Sequence, residues 1–77
     1  MSEADPRGEA ARLYEQAAAE LEQAAAHCRV AAQHFRDGVV PRGAAHAWAA
    51  RGHILSAEAL LDEQAREHAG RSVPRAD

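Results

Sequence analysis

The chain contains no lysine, one cysteine, and one each of tryptophan, tyrosine and phenylalanine among its 77 residues. The single cysteine, Cys28, excludes an internal disulfide framework and suits a reducing compartment, so a cytoplasmic location is expected. The nine basic residues are all arginines, interspersed with twelve acids for a net charge of -3. Without a basic stripe there is no nucleic-acid footprint. No apolar run approaches the roughly 20 residues of a membrane span. The opening MSEADPRGEAAR is acidic and polar where a signal peptide would be basic and then apolar, so neither membrane insertion nor export is expected. Paired cysteines, His-Glu-x-x-His, Glu-x-x-His and a glycine-rich phosphate loop are all missing. No carboxylate pair lies in surroundings that would separate two titrations. The expectation is a protein that is not an enzyme.

What the chain has in quantity is alanine: 21 residues, against only 15 other apolar ones. Alanine buries little area, and below about 70 to 80 residues a single core seldom supplies more than roughly 3 to 5 kcal/mol. Self-association is therefore expected.

Proline and glycine divide the chain. Asp5-Pro6 reads as an N-cap followed by proline at the first helical position, and Asp37-Gly38 as a helix end with glycine in the left-handed conformation. Pro41 opens a second helix running to Gly70, with Arg66 and His68 favourable in its last turn. The spacing predicts an all-α helical hairpin over residues 6–70, with helices near 6–37 and 41–69. A flexible N-terminus (1–5) and a disordered tail (71–77) flank it. A turn this short makes the helices antiparallel neighbours. Two helices cannot enclose a core, so a homodimeric four-helix bundle is the expected closure.

In the first helix Ala10, Tyr14, Ala17, Leu21, Ala24, Cys28, Ala31 and Phe35 alternate steps of four and three, a heptad seam. Cys28 then reads as a small buried hydrophobe rather than a nucleophile. In the second helix Ala47, Ala50, Ile54, Ala57, Leu61 and Ala65 form one stripe, while Trp48 and Leu55 fall elsewhere. With the turn near residue 40, residues whose numbers sum to about 80 lie opposite each other. By that rule Trp48 and Leu55 face Ala32 and Ala25, and large residues beside an alanine surface suggest a docking groove. The candidate interaction residues are Trp48, Leu55, Ala25, Ala32, Phe35, Ile54 and Leu61, with a second copy or a helix of another protein as the occupant. Gly52, in mid-helix, marks either a close backbone contact or a tolerated flaw. Arg36, Arg42 and Arg51 lie near acids and read as a solvated, salt-bridged face.

The stretches HCRVAAQH and HAWAARGH each place two histidines seven residues apart. His27 with His53 and His34 with His46 both sum to 80, which predicts two histidine rungs on one side of the hairpin, at the margin of the first seam beside Glu20 and Gln23. The ordinary reading is a ring packed at the seam with its polar edge turned to water, Gln or Glu. The alternative is a transition-metal site of His27, His34, His46 and His53, for zinc, nickel, copper or iron, completed by Glu20, Cys28 or a second subunit. A pH-sensitive interface is the third reading. The leading functional expectation is a helical interaction or oligomerisation module, a small scaffold or adaptor, that needs no cofactor.

Overall fold

In the computed structural model, which describes residues 5–74, the chain forms two α-helices, α1 over Pro6–Arg36 and α2 over Val40–Arg71. No strand occurs among the described residues. The Asp5 carboxylate accepts a hydrogen bond from the Arg7 backbone N–H at 2.9 Å, satisfying one of the free donors of the first turn of α1, and Pro6 loses nothing there because its position has no intrahelical partner. Gly38 ends the helix with φ of 75°, a conformation that would strain a side-chain-bearing residue. The left-handed step lets the backbone N–H groups of Asp37, Gly38 and Val39 reach back to the carbonyls of Gln33, Phe35 and His34, closing the last turn.

Val39 is the N-cap of α2 and supplies no side-chain hydrogen bond, so Pro41 carries the initiation. The far end runs past the expected stop. Gly70 lies inside the helix, which ends at Arg71, and the Ser72 hydroxyl caps it by donating to the His68 carbonyl at 3.0 Å. The helix therefore extends one residue into the segment 71–77 expected as a tail, and residues 1–4 and 75–77 of the expected flexible ends lie outside the described residues.

The seam differs from the sequence expectation by one residue on α1. Ala17, Ala24 and Ala31 are buried as expected, but the layers between them hold Leu13, Glu20, His27 and His34, all half-buried. Tyr14, Leu21 and Phe35, expected inside, are 54%, 47% and 48% exposed, and Cys28 is exposed too. On α2 the buried positions are Gly43, Ala50 and Ala57, alternating with half-buried His46, His53 and Leu60. Ala47, Leu61 and Ala65, expected in the α2 stripe, are exposed, and Ile54 is half-buried. Facing alanines and glycine let two backbones approach closely. The wider gaps beside them are filled on one side by Leu13, Glu20, His27 and His34 of α1 and by His46, His53 and Leu60 of α2.

The radius of gyration, 17.9 Å, exceeds the roughly 11.5 Å of a compact chain this long. The accessible surface of 6072 Å² exceeds the roughly 4,600 Å² typical of a folded monomer of this mass. Both follow from two long rods with no third layer.

Candidate functional site

The buried alanines and the half-buried polar residues repeat on the same heptad, so helical phase separates them to two sides of the hairpin. On one side the polar layers converge. The His53 Nδ1–H donates to Glu20 Oε1 at 2.6 Å, with both side chains about one-third exposed. The His53 ring stacks on His27 with centroids 5.4 Å apart and planes 14° from parallel. His27 Nδ1 lies 2.9 Å from His46 Nδ1, and the His46 ring in turn stacks on His34 at 5.5 Å and 23°. Five side chains thus form one zigzag, Glu20–His53–His27–His46–His34, crossing between the helices at every step.

The pairs His27 with His53 and His34 with His46 are those the register implies. The diagonal His27–His46 contact is what the summation rule missed, and it joins two rungs into a chain. One of its nitrogens must donate and the other accept, so the two rings hold opposite tautomers. With ring centroids 5.1 Å apart and nitrogens 2.9 Å apart, the rings point nearly at each other. Among the described residues no three His, Cys, Asp or Glu side chains gather into a metal-ligating group. Cys28 does not join the histidines: exposed and adjacent to the alanine layers, it lies on the opposite side of the seam.

That opposite side is apolar. Tyr14, Leu21, Cys28 and Phe35 follow one another at intervals of seven on α1, with Ile54 and Leu61 on α2 and the buried alanines as the floor between them. Phe35 lies across Gly43 so closely that a Cβ there would come within 2.9 Å of its ring. Tyr14 and Leu61 line one cleft at the far end. Ala25 and Ala32 lie on this side of α1. Trp48, 76% exposed, and Leu55, 51% exposed, occupy the outer edge of α2, about 140° around the helix from Gly43 and Ala50. By helical phase Trp48 and Leu55 are turned away from the seam, while Ala25 is half-buried and Ala32 exposed on α1. The residues that sequence reasoning left out of this surface, Tyr14 and Leu21, were carried by the heptad but assigned to the interior.

Charge is unevenly distributed along the rods. The turn half, residues 27–53, carries Arg29, Arg36, Arg42 and Arg51 against Asp37, a net +3. The open half is acidic: residues 5–26 hold five acids against two arginines, and residues 54–71 hold four against two, together -5. Within this pattern Arg51 reaches Glu58 at 3.6 Å, as its solvated setting implies.

The chain matches no family model, and comparison with curated proteins and with solved structures finds no similar protein. No helix among the described residues is long and apolar enough to cross a membrane.

Proposed function

We propose that the chain is a non-enzymatic helical interaction module that self-associates, two hairpins closing through their apolar sides into a four-helix bundle. One observation carries this reading: the buried apolar core of the described residues consists of five alanines, while Tyr14, Leu21, Phe35 and Leu61 remain 39% to 54% exposed along one side. Burying a methylene is worth about 0.8 kcal/mol, so five methyl groups offset little of the entropy of ordering two helices this long. A second apolar side laid over the first supplies the missing area. In a scaffold or adaptor, Trp48 and Leu55 at the outer edge of α2 are the place for a helix of another protein. Sedimentation velocity at micromolar concentration is expected to give twice the chain mass of 8.3 kDa. A well-folded monomer would overturn self-association, and Trp48→Glu with every association retained would remove the outer edge from the contact.

A second reading, a transition-metal-binding bundle, is favoured by the two imidazole nitrogens brought to 2.9 Å by His27 and His46. Further ligands would come from water or from a second copy. Thermal melts with zinc or nickel test it. A rise lost in His46→Ala, His53→Ala supports metal capture; no rise, together with no metal by elemental analysis, counts against it.

A further inference from the structure

We infer that the second copy docks in reversed orientation, the turn of each hairpin lying over the open end of the other, about a two-fold axis that passes Leu21. This rests on the self-association proposed above and adds to it which surface meets which, and in what register.

Charge selects the direction. Two copies stacked turn to turn would set +3 over +3 and -5 over -5, whereas reversal sets the basic half over the acidic one. Exposed charges are screened beyond about 8 Å at physiological salt, but the rims of two stacked hairpins lie within that range. The choice needs only a difference between two arrangements that bury the same apolar area.

Register supports the same axis. Rotating α1 end over end about Leu21 brings Tyr14 opposite Cys28 of the partner and Leu21 opposite itself. On α2 the same operation should bring Ile54 opposite Leu61, whose midpoint falls between Ala57 and Glu58. The zigzag alternates between the pairs His27–His53 and His34–His46 and the pairs Glu20–His53 and His27–His46, which together bracket the position facing Leu21 between Gly52 and Ala59, centred near Leu55 and Ser56. The two midpoints therefore agree to within about two residues, roughly 3 Å of helix. One axis thus pairs Tyr14 with Cys28, Leu21 with itself and Ile54 with Leu61, the self-complementarity that a two-fold interface requires, while Phe35 falls opposite Arg7 of the partner at the edge of the contact. At the rim, Glu15 comes near Arg29 of the partner, each on the same outer stripe of α1.

The test is directional crosslinking with a charge exchange beside it. In a Cys28→Ser background, Leu21→Cys places two thiols at the axis, and mild oxidation is expected to give a covalent dimer. The native protein is expected to stay unlinked, because reversal separates the two Cys28 positions by fourteen residues of rise, about 21 Å, where a disulfide needs Cα atoms within about 7 Å. Independently, Arg29→Glu is expected to raise the dimer dissociation constant several-fold, and adding Glu15→Arg to restore it. Turn-to-turn stacking would instead be tightened by Arg29→Glu. A native Cys28-linked dimer, or a non-covalent dimer that Leu21→Cys fails to link, overturns the orientation and leaves self-association standing. A monomeric native protein overturns both.

Discussion

The two sides of this seam solve the same packing problem by different means. On the apolar side, alanine and glycine layers hold the helices together by close approach, with no directional contact at all. On the other, Glu20 and four histidines fill the wider layers with side chains that satisfy one another, so that no buried side-chain polar atom is left without a partner among the described residues. The small layers set the spacing, and the polar layers exploit what room is left. A polar residue in a seam is thus no defect when its partner is another polar residue on the opposing helix.

The largest expected effect comes from disturbing the small layers. Ala57 is 1% exposed, and Ala57→Leu is expected to cost about 3 kcal/mol by overpacking, measured by urea denaturation. In the neighbouring layer, His53→Leu is expected to stay within about 1 kcal/mol of the native protein, because a large side chain already fits there and Glu20 can hydrate. Equal losses from the two would show that size does not distinguish the layers.

Next is the apolar side. Leu21→Glu is expected to raise the dissociation constant of the proposed dimer at least a hundredfold, about 2.7 kcal/mol, with helicity recovered at high protein concentration. Dimerisation unchanged by a carboxylate at Leu21 would place the interface elsewhere.

A smaller effect tests the polar zigzag. A double-mutant cycle of His27→Ala and His46→Ala at pH 8 is expected to give a coupling of about 1 kcal/mol. Strictly additive losses would mean that the 2.9 Å contact contributes nothing beyond its separate parts.

The smallest effect is a gain. Gly52 is exposed and a Cβ there meets nothing within 4 Å, so of the two sequence readings the close backbone contact is absent within the chain. Gly52→Ala is expected to stabilise α2 by about 0.8 kcal/mol through helix propensity alone, visible as a rise in Tm. A fall in Tm would reveal a neighbour at Gly52 that belongs to another copy.

The fold was legible because its causes are local. The Asp5 side-chain cap, proline at positions 6 and 41, and glycine at 38 with its positive φ each act within a few residues, and they bound both helices to within one or two residues at every end. The histidine pairs were legible too, because an antiparallel register follows from the turn position by arithmetic. Gly43 as a seam residue was not legible: nothing in its neighbourhood distinguishes it from Gly52, and only the Phe35 ring lying across it does.

The sequence by itself determined that there would be two antiparallel helices, that Ala17, Ala24 and Ala31 would lie between them, and that His27 and His34 would meet His53 and His46. It left open which neighbour of each alanine shares the seam. Tyr14, Leu21, Cys28 and Phe35 compete with Leu13, Glu20, His27 and His34, one residue away in each case, and hydropathy favours the first set. Tertiary structure chose the second, because what a closely approached seam admits is decided by the facing helix: His46 and His53 offer hydrogen bonds and ring faces to Glu20, His27 and His34, a complementarity that no single helix displays.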